Sequence, residues 1–179
     1  MRERTFRIGN LSINLIEGDI AKVKADALVT AVNSGGAWFG GIDGVIQRAA
    51  GMMFHKQALS ALPLGHADTT VARKDAPHRG TFGDVVFVID DLEGPLSDVI
   101  SAALVAADEA RYASVSLPAI RTGVMLGAVE KDAAAAARET VKGLKAFVRR
   151  NPSTLRIVTI VIYNQRDIFD AMAYDLERA

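Results

Sequence analysis

Two short segments hold most of the residues that could do chemistry. From Val32 to Gly51 an apolar run passes through a loop with paired glycines, Gly35-Gly36 and Gly40-Gly41, into a helical pattern. Asn33 and Asp43, ten residues apart, bracket that loop. Glycines let backbone N–H groups approach an anion closely, and a helix start adds oriented donors, so the segment suits a phosphorylated ligand. Asn33 offers a donor and an acceptor to a sugar hydroxyl, while Asp43 either caps the following helix or serves as a general base on water. Ser116 to Ala128 ends a second apolar run in another loop, with Gly123 and Gly127 ahead of a helix. The two loops are either ordinary strand-to-helix turns or the two sides of one diphosphate clamp at the carboxyl edge of a sheet.

Smaller signals flank these loops. Gly18-Asp19-Ile20 follows an apolar run, and Asp19 either caps a turn or accepts from the exocyclic amine that distinguishes adenine. Tyr163-Asn164 closes the last apolar run, where a tyrosine ring either lies on a base or packs at the rim. His55, His66 and His78 have no metal-ligand spacing and no evident serine partner, so they read as surface or partly buried histidines. The chain lacks cysteine, which excludes disulfides, thiolate nucleophiles and cysteine-based zinc sites. Neither a metal nor a cofactor is expected.

The elements that must position these residues alternate as strands and helices, the pattern of an α/β sheet covered on both faces. Strands are predicted near Phe6 to Ile8, Ser12 to Glu17, Ala27 to Val32, Asp68 to Arg73, Asp84 to Ile89, Ser114 to Pro118 and Arg156 to Tyr163. Helices are predicted near Asp43 to Gly51, Met53 to Ala61, Pro95 to Arg111, Glu130 to Arg150 and Gln165 to Glu177. Pro95 suits a first-turn position, with Ser97 or Asp98 as cap, and Asn151-Pro152 stops the long fourth helix. Lys74 to Gly80 reads as an exposed excursion between two strands. With 179 residues and half of them hydrophobic, residues 1–179 are read as a single domain with a full core.

Basic and acidic residues balance at 21 each, so no broad cationic field exists to hold a nucleic acid. No run approaches the ~20 apolar residues of a membrane span, and Met1 to Phe6 lacks the apolar core of a signal peptide. A cytoplasmic protein without membrane partners is the expectation.

Taken in order, these segments resemble the macrodomain family over nearly the whole chain. The matching text is Gly18-Asp19-Ile20, Asp26-Ala27-Leu28-Val29 leading to Asn33, and Gly40-Gly41-Ile42-Asp43-Gly44-Val45-Ile46 with Ala49-Ala50-Gly51. It continues with Gly65, Ala67 and Thr70, then Leu117-Pro118-Ala119-Ile120 with Thr122-Gly123, and Tyr163. The resemblance implies a three-layer α/β/α sandwich around a mixed, mostly parallel sheet. It implies ADP-ribose or an ADP-ribosylated protein as partner. Asp19 would read the adenine amine with the Ile20 backbone, Tyr163 would lie on the adenine, and Asn164 would sit near its ribose. Asn33 would hold the distal ribose. Gly40, Gly41 and Ile42 would embrace one side of the diphosphate, and Thr122, Gly123, Val124, Met125 and Leu126 would close over the other. Asp43 falls where hydrolytic members of the MacroD type carry the acid that orients water. Those members remove ADP-ribose from acidic side chains and deacetylate O-acetyl-ADP-ribose without a metal.

Several positions depart from the family pattern. Phe39 stands where the first of three consecutive glycines is usual, Thr30 replaces an asparagine, and Gln47 replaces a histidine. Met125 replaces an aromatic over the distal ribose, and Leu126 reads as one extra residue. Trp38 and Phe39 either supply the missing aromatic surface or pack inward. The resulting expectation is a metal-independent ADP-ribosyl-ester hydrolase with Asp43 and Asn33 as its catalytic residues. The alternative is a reader that binds ADP-ribose without turnover.

Overall fold

A computed structural model describes residues 2–38 and 40–179, so Phe39 and the choice between its two readings lie outside the described residues. Seven strands form one sheet: β1 (Glu3–Ile8), β2 (Leu11–Glu17), β3 (Ala25–Val32), β4 (Thr69–Ala72), β5 (Phe82–Ile89), β6 (Ser114–Pro118) and β7 (Ile157–Ile162). Their spatial order is β1-β2-β7-β6-β3-β5-β4. The inner five run parallel, and β1 and β4 close the two edges antiparallel to β2 and β5. The sequences explain this order. β3, β5 and β7 are nearly continuous apolar runs, as central strands covered on both faces require, whereas β1 reads Glu-Arg-Thr-Phe-Arg-Ile and is mostly exposed.

Among the described residues five α-helices cover the faces: α1 (Gly41–Ala50), α2 (Met53–Ser60), α3 (Leu96–Glu109), α4 (Ala133–Val148) and α5 (Arg166–Leu176). One core lies beneath α3, α4 and α5, with Leu104, Leu144 and Met172 among its buried members. A second core lies under α1 and α2 and includes Ile46, Phe54 and Phe87. The three layers expected from the sequence are therefore present. Gly143 allows α3 and α4 to meet closely, because a Cβ there would stand 2.7 Å from Ile100 Cβ and 2.8 Å from Ser97 O.

Two helix starts differ from the sequence reading. Neither Ser97 nor Asp98 caps α3. Pro95 occupies the cap position without a side-chain hydrogen bond, and the Leu96 N–H donates to Glu130 Oε1 at 2.9 Å. Glu130 therefore belongs to a loop, and α4 begins three residues after it, with Asp132 capped onto Ala135 N at 2.8 Å. The tertiary use of that one carboxylate overrides the helical preference of its own segment.

The strand register sets up the site. Glu17 pairs with Ile162, and Val32 with Ile89, so neighbouring parallel strands end level with one another. The residues after β2, β3, β5, β6 and β7 consequently emerge along one carboxyl edge, where parallel α/β sheets bind ligands.

Candidate functional site

A groove runs along that edge in two compartments of about 480 and 550 Å³, which meet at Gly41 and Ile42. Both volumes fall in the range of small-molecule sites. The first compartment is lined by Asn33, Trp38, Gly40, Asp43, Asp90, Val124 and Met125, among others. The second holds Asp19, Ile20, Arg48, Arg79 and Tyr163.

The junction is a helix start. Gly40 sits at φ 88°, a conformation that favours glycine, and turns the chain into α1. The first bond of that helix runs from Gly44 N to Gly40 O at 3.0 Å, and Gly40 carries no side chain to cap it. The N–H groups of Gly41, Ile42 and Asp43 thus point out of the helix end toward the groove, the arrangement that favours a phosphate.

Asp43 lies in the first turn of α1 but does not cap it. Its Oδ1 turns to the sheet and α2, where it lies 3.4 Å from Thr30 Oγ1 and 3.1 Å from His55 Nε2. Thr30 and His55 are buried, and the Asp43 side chain is 15% exposed to the groove. No hydrogen bond among the described residues goes to Oδ2. Asn33, also on the groove, uses its Oδ1 to accept from Gly35 N at 2.9 Å, leaving its amide N–H groups as donors. Its carbonyl accepts from Trp38 Nε1 at 2.7 Å, and Gln47 Nε2 donates to Trp38 O at 3.0 Å. Trp38 is largely buried and stacks on Phe87 at 5.6 Å, so it packs inward while one edge lines the groove.

The second loop is pinned at its base and open at its tip. Arg121, at φ 60°, extends its guanidinium beneath the loop. There it pairs bidentately with Asp90 at 2.9 and 2.7 Å and donates to Glu130 at 3.0 Å and to Gly94 O at 3.0 Å. Burial opposes its charge, but the hydrogen bonds to both carboxylates outweigh that and raise its pKa. Its side chain is only 1% exposed, although the residue borders the first compartment. Thr122 is buried and donates to Ala119 O at 2.6 Å, whereas Val124 is 96% exposed. Val124 and Met125 line the first compartment; Thr122, Gly123 and Leu126 belong to the loop without lining either compartment.

In the second compartment Asp19 takes the capping role, one of the two expected of it. Its Oδ1 caps a short 3-10 turn by accepting from Ala21 N at 3.0 Å, and Lys22 Nζ stands 3.9 Å from Oδ2. The Ile20 side chain is buried beneath the turn. Val45, Arg48 and Ala49, at helical spacing, present one stripe of α1 to the compartment, and the exposed Tyr163 ring stands among its walls. Asn164 follows at φ 51° and lines neither compartment.

Sequence reasoning missed His55, Asp90 and the Arg121–Glu130 pair. His55 is fully buried and paired, so its reading as a surface or partly buried histidine is corrected. The available signal was its place on the buried face of α2 with Phe54 and Ala58. Among the described residues no cluster of three or more His, Asp or Glu could hold a metal ion, and no helix is long and apolar enough to cross a membrane.

No family model matches the chain. It is 36% identical to a macro domain-containing protein of Streptomyces coelicolor, over 91% of this chain and 94% of that protein. It is also 36% identical to the O-acetyl-ADP-ribose deacetylase of Escherichia coli K12, over 78% of this chain and 81% of the enzyme. The Oceanobacillus iheyensis macrodomain with ADP superimposes with a TM-score of 0.80 over 99% of this chain and 96% of that one, at 19% identity. The length of the match and the shared fold agree, and the chain belongs to the macrodomain family.

Proposed function

We propose that the groove binds ADP-ribose and that the chain hydrolyses the ester joining ADP-ribose to a carboxylate or acyl group. The diphosphate lies at the junction, where the free N–H groups at the start of α1 meet the second loop. Adenosine occupies the compartment of Asp19, Ile20 and Tyr163, with Asn164 beyond it, and the distal ribose occupies that of Asn33 and Asp43. Thr122, Gly123 and Leu126 form the frame from which Val124 and Met125 close over the ligand.

The observation that carries this reading is the Asp43 carboxylate, held by one oxygen from behind and open to the groove on the other side. From there Oδ2 orients a water and takes up part of its proton as the water oxygen bonds to the acyl carbon. The bond between that carbon and the ribose oxygen breaks. The proton taken up by Asp43 passes to the ribose oxygen, the acyl group leaves as a carboxylic acid that loses the water's second proton to solvent, and Asp43 ends in the state in which it began. The kinship with an O-acetyl-ADP-ribose deacetylase supports the same class of substrate.

A second reading, binding without turnover, is favoured by the second loop, whose Val124 and Met125 stand 96% and 49% exposed rather than closed over the groove. Two measurements separate the readings. Calorimetry with ADP-ribose is expected to show binding, and absence of heat up to millimolar ligand removes both. Release of ADP-ribose from O-acetyl-ADP-ribose or from a glutamate-ADP-ribosylated protein is expected for the enzyme, and binding without release leaves the reader.

A further inference from the structure

We infer that His55 is the positioning residue of this site, a neutral imidazole whose Nε2–H holds Asp43 so that Oδ2 faces the groove. The inference rests on the hydrolase reading above.

The hydrogen-bond inventory assigns the tautomer. An ionised carboxylate only accepts, so at 3.1 Å from Asp43 Oδ1 the His55 Nε2 carries the proton. Among the described residues His55 Nδ1 is buried with no hydrogen-bond partner, and a second proton there would meet no acceptor among them. Its surroundings are aromatic: the Phe87 ring stands edge-on at 5.2 Å and the Trp38 ring at 6.2 Å. Trp38 directs its own N–H to Asn33 O instead. A phenylalanine would fill this cage without leaving a buried nitrogen unsatisfied, so packing alone gives no reason for an imidazole. The bond to Asp43 does.

That bond has a consequence for the groove. An acid in the first turn of a helix is ordinarily drawn to the free N–H groups of that turn. Here His55 and Thr30 draw Oδ1 back toward the sheet, which leaves those N–H groups to the ligand and fixes the direction of Oδ2. Through Trp38, the same aromatic block also carries Asn33. The two groups that flank the distal ribose therefore share one rigid backing, although they come from different elements.

The test compares His55→Phe, which keeps the ring volume and loses the donor, with His55→Gln, whose amide N–H reaches the same place. On O-acetyl-ADP-ribose, His55→Phe is expected to lower kcat at least tenfold while KM and the Kd for ADP-ribose stay within twofold. His55→Gln is expected to keep at least a third of the wild-type rate. In an Asp43→Ala background His55→Phe is expected to cause no further loss, because a residue acting through Asp43 has nothing left to act on. Nitrogen-15 spectra of the wild type are expected to show Nε2 protonated and Nδ1 bare, a readout that survives if His55→Phe does not fold. Wild-type kcat in His55→Phe, equal losses in both single variants, or a doubly protonated ring overturns the inference. A wild type that binds ADP-ribose but cleaves neither ester overturns the hydrolase reading itself, and that result is distinct from an active wild type indifferent to His55.

Discussion

The two compartments of the groove are built to different tolerances. In the first compartment the Asn33 side chain accepts from the backbone of its own loop, its carbonyl accepts from Trp38, and Asp43 is held at the buried His55. Around Asp19 and Tyr163 the side chains are exposed by 40% and 69%, and a single turn supports the carboxylate. Geometry held to a fraction of an ångström matters where a water must meet one carbon, whereas a base can be recognised by groups that settle after it arrives. On the proposed function the first compartment is the place for chemistry and the second for affinity, and substitutions should divide the same way.

The sharpest division is expected at Asp43. Asp43→Ala removes the group proposed to orient and deprotonate water but leaves the N–H groups at the α1 start in place. We expect kcat to fall by about 10² to 10⁴, the usual contribution of a positioned acid or base, with the Kd for ADP-ribose nearly unchanged. Parallel calorimetry and ester-hydrolysis assays decide it. A variant that loses binding and rate together would break the proposed separation of the compartments.

The second loop bridges the two standards, with a buried base and an open tip. Glu130→Ala deletes the carboxylate that accepts from both Arg121 and Leu96 N and leaves a buried guanidinium half-paired. Breaking such a pair costs about 3 kcal/mol or more, against near zero for an exposed one. Thermal unfolding of Glu130→Ala should show that loss, while Glu139→Ala, whose partner Lys142 is exposed by 63%, should lose far less through that ion pair. Comparable losses in the two variants would show that the base of the loop is not the rigid part.

The legibility of these features in the sequence follows how local they are. All seven strands could be placed from apolar runs and turns, and the bounds expected for β6 are those found. The glycine loops and strand ends of the site were legible for the same reason, since each is written in a few consecutive residues. What escaped was made by convergence. The Asp43–His55–Thr30 cluster needs α1, α2 and β3 to pack, and the Arg121–Asp90 pair joins residues 31 apart. The late start of α4 belongs here too, because Glu130 is drawn to α3 rather than into its own helix. Trp38 shows the limit from the other side. Its exposure and its packing were both open readings, and only the Phe87 stack and the Asn33 bond decide for the interior.

In the affinity compartment the larger effect is expected at Asp19. One of its oxygens is engaged by Ala21 N, and the other, with Lys22 Nζ 3.9 Å away, is the one proposed to meet an exocyclic amine. Asp19→Ala should weaken ADP-ribose binding by about 1 to 3 kcal/mol, the range for a hydrogen bond to a charged group. Once the weaker binding is overcome by saturating substrate, kcat should stay close to wild type. A kcat that falls with affinity at saturation would mean that the adenosine end also aims the distal ribose.

Tyr163 is expected to contribute least. A base stacked on an aromatic ring gains about 1 to 3 kcal/mol, and the 69% exposure of this ring places it at the lower end. Tyr163→Ala should therefore weaken ADP-ribose by about tenfold, and Tyr163→Phe by less than about twofold, since the stacking face carries the contact and the phenol oxygen has no partner among the described residues. The pair of variants separates two roles that exposure alone leaves together. If Phe is as damaging as Ala, the hydroxyl makes a bond to the ligand, and the compartment then recognises adenosine by direction as well as by surface.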